Sequence, residues 1–447
     1  MTPKNKIRIG CGAGFSGDRI EPAVILAEKG NLDYLVLECL AERTIGLAQK
    51  RKAIDPDQGY DPLLERRLEL LLPVLKKNKV RLITNMGAAN PVAAAGKIIE
   101  IAKRLNLSVT VAAVTGDDVY QLISGDEIAM ETGNALKKSG QIISANAYLG
   151  ADAIIPALET GAEIIITGRV ADPSLFVAPL AYEFGWSLND ADIIGKGTVI
   201  GHLLECAGQI CGGYFADPVN KPVEDMENLG HPFADVYPDG SAAISKVEGT
   251  GGLINLATAK EQLLYEVTNP YQYFTPDVVA DFTTVYLTQL DKNCVGVKGG
   301  GGQQRPGTLK VSVGYKAGFI GEGEISYAGA HALERAQLAG ETLKKRLSAH
   351  YKELRVDYIG YSSVHSYSFS IDAKPYEVRL RVAGKALSSE EAAIIGEEVE
   401  ALYTNGPAGG GGARKYINEV VGIVSTLIDR NKIQPSVIIK RYEHQTP

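Results

Sequence analysis

The sequence predicts an α/β fold: an N-terminal doubly wound, mostly parallel sheet of Rossmann-like type, followed by a C-terminal α+β domain. Three observations predict it. Short β-branched runs alternate with amphipathic stretches over the first 170 residues. Those runs are apolar throughout, as strands covered by helices on both faces must be. A glycine-rich turn, GCGAGFSGDRIEP, follows the first run, as it does in dinucleotide-binding units.

Taken in order, the apolar runs are 7–11, 33–37, 80–84, 108–114 and 163–167. Amphipathic stretches at 22–30, 41–53, 62–78, 91–105 and 150–161 lie between them. Strand–helix–strand crossovers of this kind are right-handed and build a parallel sheet. Helical patterns continue through DPSLFVAPLAYEFGW and GTVIGHLLECAGQICGG, and an irregular stretch follows from Tyr214. SAAISKV then reads as a strand, and EGTGGLINLATAKEQLLYEV as a glycine turn opening a helix. The pattern breaks at NPYQYFTP, which places the domain boundary near 270 and gives domains 1–268 and 269–447. Beyond it, strands are expected at 282–289, 308–315, 319–327, 354–361, 376–383 and 436–441. Helices are expected at 329–349, 388–402 and 413–430.

Composition narrows the function classes. A chain of 447 residues with 45% hydrophobic content fits two domains with a large core. A net charge of −7, with no basic block, argues against nucleic-acid binding. No apolar run is long enough to span a bilayer, and MTPKNKIRIG lacks the apolar stretch of a secretory leader. The five cysteines are scattered, without a CxxC pair, as in a reducing compartment. A cytoplasmic protein is expected, with a small-molecule substrate, no nucleic-acid or membrane partner, and homo-oligomers common for its type.

In open α/β sheets, ligands sit beyond the carboxyl ends of the strands, so the residues ending each run are the first candidates. They are Gly14, Asp18 and Arg19 after the first, Glu38 after the second, and Asn85 and Asn90 after the third. Asp117 and Asp118 follow the fourth, and Arg169 and Asp172 the fifth. Asp118 and Asp172 precede helical stretches and read as caps. Arg19, Glu38, Asn85 and Arg169 do not, and a charge or amide at a sheet edge needs partners. Gly12, Gly14 and Gly17 spell G-x-G-x-x-G, with Glu38 at the ribose-binding distance. Pro22, however, favours the first helical turn and puts the helix start at 21 or 22, after a longer loop than a dinucleotide turn uses. With Arg19 beside it, the loop reads as a holder of a carboxylate or other anion, with NAD(P) as the alternative.

Elsewhere, helical spacing brings His202, Glu205, Cys206 and Gln209 to one face, where His and Glu can form an acid–base pair. His231 lies in a loop rich in turn residues. Thr250, Gly251 and Gly252 open a helical pattern, a place where anions bind. Two glycine clusters, 298–302 beside Lys298 and Arg305, and 409–412 beside Arg414 and Lys415, could cradle phosphates or join domains. Neither matches a P-loop, and no motif specifies a metal or a cofactor.

Together GAGFSGDRIEPA, YLVLECLAERT, ITNMGAANP, GADAIIPALETGAEIIITGRVADPSL, LLECAGQICGGYFADP, PDGSAAISKVEGTGG and YTNGPAGGGGARK resemble the AtuA-like acyclic terpene utilisation family, over residues 7 to 430. The resemblance implies a catabolic setting in which branched acyl-CoA thioesters are degraded, so CoA would enter as part of a substrate. Many relatives carry an additional small domain, so the resemblance also implies a separately encoded small partner subunit. The leading expectation is a lyase or hydratase acting on an anionic carboxylate or a branched acyl-CoA. Arg19, Arg169 and the glycine turns, including Thr250 to Gly252, would hold the anion with Gly14, Asp18, Asn85 and Asn90. Glu38, His202, Glu205 and His231 would supply acid–base catalysis. An NAD(P)-dependent oxidoreductase and a non-catalytic subunit of a degradative complex are the alternatives.

Overall fold

Runs that are apolar on both faces can be satisfied only inside a sheet with helices on each side, and that is how the N-terminal half is built. The computed structural model describes residues 4–365 and 374–444. Two compact units emerge: Met1–Lys138, Ile142–Gly314 and Ile423–Pro447 form the first, and Ser139–Gln141 with Tyr315–Gly422 the second. The expected boundary near 270 is therefore displaced. Helices and strands up to 314 belong to the first unit, and the chain returns to it at 423.

In the first unit the chain opens with β1 (Ile7–Ala13), α1 (Glu21–Lys29), β2 (Tyr34–Leu37), α2 (Glu42–Ile54), α3 (Leu64–Asn78) and β3 (Arg81–Thr84). Next come α4 (Pro91–Arg104), β4 (Val109–Thr115), β5 (Gln141–Ala147), α5 (Ala151–Glu159) and β6 (Ile164–Thr167). Then follow α6 (Ser174–Phe184), α7 (Ala191–Leu204), β7 (Pro232–Val236), β8 (Ala242–Lys246) and α8 (Leu256–Leu264). Short strands β9 (Tyr273–Phe274), β10 (Val279–Asp281), β11 (Tyr286–Asp291), β12 (Cys294–Lys298) and β13 (Gly301–Gln303) succeed them. The rest of the chain holds β14 (Thr308–Ala328), α9 (Ala332–Leu347), β15 (Leu354–Ile359), β16 (Glu377–Ala386) and α10 (Ser389–Glu400). It ends with α11 (Leu402–Asn405), β17 (Gly411–Asp429) and β18 (Ser436–Tyr442).

A ten-stranded sheet runs β11-β12-β8-β7-β1-β2-β3-β6-β4-β18. Its centre, β1-β2-β3-β6-β4, is parallel, with Leu35 opposite Leu82 and Ile83 opposite Ile165. Antiparallel strands extend both flanks, β7 beside β1 and β18 beside β4. One face packs on α1, α3 and α4 through Leu26, Leu68, Leu72, Ile98 and Ile101 against Leu35, Leu82 and Ile164. The other is covered by α5 and α6, whose Ile154, Leu158, Phe176 and Leu180 are fully buried. Each such side chain contributes about 1.5–3 kcal/mol. The protein is thus α/β, with a mixed sheet. Next to β1 the order does not reverse between parallel neighbours, as it does in a doubly wound dinucleotide fold; the far neighbour is antiparallel β7.

The second unit is a β-α-β-β-α-β unit, β14-α9-β15-β16-α10-β17, with sheet order β15-β16-β14-β17. α9 and α10 cover one face through Ala336, Leu343, Ile395 and Val399 over Ile325, Leu380 and Val382. The helix expected at 413–430 is instead strand β17. Ile417, Val420, Val421, Ile423, Val424, Thr426 and Ile428 crowd this stretch, and β-branched side chains favour the pleated state over the helix. The strands expected at 308–315 and 319–327 are one continuous element, β14.

Candidate functional site

Strand ends and the segments after them enclose a recess of about 890 Å³ in the first unit, lined among others by Glu42, Tyr148, Arg169, Asp172, Tyr273 and Lys310. Arg169 leaves the end of β6 and is buried. Its Nη2 donates to Asp172 Oδ1 at 2.9 Å, its Nη1 to the Leu40 carbonyl, and its guanidinium lies 4.1 Å from the Tyr148 ring centroid. Its Nε has no partner among the described residues. Behind it, Asp117 Oδ2 accepts from the Arg169 and Asn146 amides at 2.9 Å. Gly168 is obligatory there, because a Cβ would run into the Asp117 carboxylate.

Burial and crowding set the charges. Asp172 is pushed up to about 6 by desolvation, opposed by Arg169 and reinforced by Glu205 and Glu266. Asp117 is also pushed up to about 6, chiefly by desolvation. Glu38, buried at the end of β2, is held well above the usual carboxylate range by burial and by Asp172. Its Oε1 accepts from the Leu40 amide at 2.9 Å and from Asn85 Nδ2 at 2.8 Å. Asn85 Oδ1 in turn accepts from the Cys39 amide at 2.7 Å, so this predicted ligand-binder acts on Glu38 and the β2 end. Across the recess, Glu42 Oε1 accepts from Tyr148 Oη at 2.8 Å and Lys310 Nζ at 2.6 Å. Burial raises its pKa, but those two donors outweigh it and the net shift is downward.

His202 and Glu205 meet as predicted, Nδ1 to Oε1 at 3.0 Å, although α7 ends at Leu204 and Glu205 is its C-terminal cap. The His202 ring packs 5.4 Å from that of Tyr273, which places the pair directly behind the recess wall. His202 Nε2 and Glu205 Oε2 have no partners among the described residues. His231 is buried beside the opening loop, with Nε2 3.8 Å from Asp18 Oδ1. Its pKa is lowered by desolvation, against the pull of Asp18.

The opening loop is occupied by its own acid. Asp18 Oδ2 accepts from the Gly14 amide at 2.9 Å and Oδ1 from the Arg19 amide at 2.9 Å. A Cβ at Gly14 would lie 2.5 Å from the Cys206 carbonyl carbon, so glycine there permits a close backbone approach. Helix α1 begins at Glu21, as Pro22 indicates, not at the third glycine. With the Gly14 amide bonded to Asp18, and Glu38 Oε1 bonded to Leu40 and Asn85, neither stands ready for pyrophosphate or ribose. A pyrophosphate or ribose bound there would have to exchange for these internal bonds.

Other candidates fall outside the recess. Arg19 is exposed and reaches the Glu227 carbonyl at 2.5 Å. Asn90 is the N-cap of α4, accepting from the Ala93 amide at 3.3 Å. Thr250, Gly251 and Gly252 precede the α8 cap, Asn255, by several residues. Thr250 Oγ1 donates to the Val247 carbonyl, and Gly251 abuts the Asp225 backbone, so these residues lie in the turn before α8 and not at its start. Of the loop cations, Arg305 pairs with Asp152 at 3.0 Å and Lys415 with Glu400 at 2.6 Å. Asp172, read as a cap, is instead the partner of Arg169, and α6 has no side-chain cap.

Sequence reasoning missed Tyr148, Lys310, Glu42 and Tyr273. Tyr148 follows β5, whose polar sequence QIISANA hides a strand. Lys310 lies on β14, far along the chain. It also missed Arg67, fully buried on α3, which donates to Cys39 Sγ at 2.8 Å and to the Ser16 and Asp18 carbonyls, pinning the opening loop.

Among the described residues, no group of three or more His, Cys, Asp or Glu is placed to hold a metal ion, and no helix is long and apolar enough to cross a membrane. The fold and the recess define an α/β protein with a recess of mixed charge at the ends of its parallel strands. Residues 7–439 match the model of the acyclic terpene utilisation family protein AtuA, and the chain belongs to that family. This membership points to a catabolic role. No curated protein matches the chain.

Proposed function

We propose that the recess is an active site for acid–base chemistry on an anionic carboxylate or a branched acyl-CoA thioester, of the lyase or hydratase type. One observation carries the reading: Asp172, pushed up to about 6, stands on the recess wall against a buried arginine. A carboxyl near neutrality both takes and gives protons at working pH. The Nε–H of Arg169, without a partner among the described residues, and the Lys310 ammonium supply positive charge for a carboxylate or thioester oxygen. Asp172 would take the proton from the carbon next to the carbonyl as the double bond forms. It would then return that proton to the hydroxyl leaving the neighbouring carbon, which departs as water; the reverse sequence is hydration. Burial holds the Glu38 carboxyl well above its usual range, which favours its neutral form and eases the like-charge repulsion on Asp172.

The test is turnover of branched 2-enoyl compounds, as free acids and as CoA thioesters, followed by loss of the conjugated double bond and by deuterium uptake in heavy water. Asp172→Asn is expected to lower kcat by about 10²–10⁴-fold. Unchanged turnover in that variant would overturn the assignment. So would a melting shift with nicotinamide dinucleotides alone.

A further inference from the structure

Three cations line the recess: Arg43, Arg169 and Lys310. Two of them are already engaged. Lys310 Nζ sits 2.6 Å from Glu42 Oε1, and Arg169 donates to Asp172 and to the Leu40 carbonyl. Arg43 is exposed and makes no hydrogen bond or ion pair with the described residues. A guanidinium carries its donors in a planar fork that matches an oxyanion, and at Arg43 the whole fork is uncommitted. Its surroundings add to the positive field. Arg43 stands in the first turn of α2, where no side chain caps the helix, and the Arg169 guanidinium is bonded to the chain just ahead of that turn. The neighbouring Glu42 carboxylate is offset by two donors, Tyr148 Oη and Lys310 Nζ. Glu266, the lining acid without an ion pair among the described residues, lies instead toward Asp172 and Tyr273, whose protons it helps to hold.

We propose that Arg43 binds a second anionic group of the substrate, apart from the carboxylate or thioester that reacts at Asp172. The inference rests on the acid–base reading of the recess for the place of the reacting group. At about 890 Å³ the recess lies toward the upper end of the roughly 300–1,000 Å³ usual for small-molecule sites, which leaves room for such a group beyond a short branched acid. A singly charged acid would engage Arg169 and Lys310 and leave Arg43 open, whereas a substrate with a second anion engages all three. Two sources present that chemistry: the second carboxylate of a branched dicarboxylic acid, and the phosphates of a CoA thioester.

The experiment is titration calorimetry of the full chain with isovalerate, methylsuccinate and CoA, with circular dichroism melts to verify folding. The wild type is expected to bind methylsuccinate or CoA about tenfold more tightly than isovalerate, the gain from one charge-assisted contact. Arg43→Gln is expected to lose that advantage and to bind isovalerate as the wild type does. Arg19→Gln, which removes the same charge outside the recess, is expected to bind all three as the wild type does. A loss confined to methylsuccinate assigns a second carboxylate to Arg43, and a loss confined to CoA assigns a phosphate. A wild type that prefers neither over isovalerate, an Arg43→Gln chain that keeps the preference, or an Arg19→Gln chain that loses it equally would each overturn the proposal. The acid–base reading fails separately, through unchanged turnover in Asp172→Asn, because binding at Arg43 needs no proton transfer.

Discussion

Asp117→Asn is the perturbation that tests the electrostatics of the site most directly. Asp117 is 4% exposed and is pushed up from 3.8 to about 6, chiefly by desolvation. The folded protein therefore binds this proton more tightly than the unfolded chain, by about two units. The stability slope with pH follows the protons bound by the unfolded state minus those bound by the native state, which is negative between the two pKa values. Asp117 thus costs nothing below pH 4, costs progressively more as pH rises to about 6, and costs a constant amount above it. At about 1.4 kcal/mol per unit, that plateau is about 3 kcal/mol. Asparagine keeps an oxygen to accept from the Arg169 amide and carries no charge at any pH. The stability of the variant relative to wild type should therefore improve by about 3 kcal/mol between pH 4 and pH 7.5. Urea melts at four pH values, followed through Trp186, the single tryptophan and a residue of the first unit, measure it. A difference that is flat with pH, or that grows less favourable to the variant as pH rises, would refute the desolvation argument.

Two further outcomes separate scaffold from site. Gly14→Ala should destabilise the chain by about 1–3 kcal/mol, read from the urea midpoint, because its methyl group would press on the Cys206 backbone 2.5 Å away. Asn90→Ala should cost about 1 kcal/mol, the usual loss of an N-cap, and should leave ligand-induced melting shifts unchanged, since its side chain serves α4 and the Pro56 and Gln58 carbonyls.

Much of the first unit was legible because its physics is local and repetitive. Five apolar runs became β1, β2, β3, β4 and β6, and the stretches between them became α1 through α5. Runs buried on both faces leave little ambiguity, since Leu35 stands opposite Leu82, and Ile83 stands between Val36 and Ile165. Among the strands that escaped notice, β5 and β7 carry polar or turn-forming residues. β17 was misread because alternation and helical spacing are hard to separate when apolar residues crowd both faces, and only the density of branched side chains decides.

The site was half legible, for a physical reason that the opening loop makes plain. Sequence shows which residues leave a strand end, but not whether their hydrogen bonds are spent inside the protein. Gly14 and Asp18 sit where a ligand-binding loop would place them, yet each satisfies the other. Asn85 stands at the end of β3, yet both ends of its amide are used by Cys39 and Glu38. Arg169 differs because a fixed guanidinium carries more donors than Asp172 and Leu40 can absorb, and its Nε in the buried wall has no partner among the described residues. A buried donor without a partner is costly, so it persists where something else completes it. That surplus, rather than position at a strand end, distinguishes Arg169 from Arg19, whose charge is exposed and already served by Glu227 and Glu21.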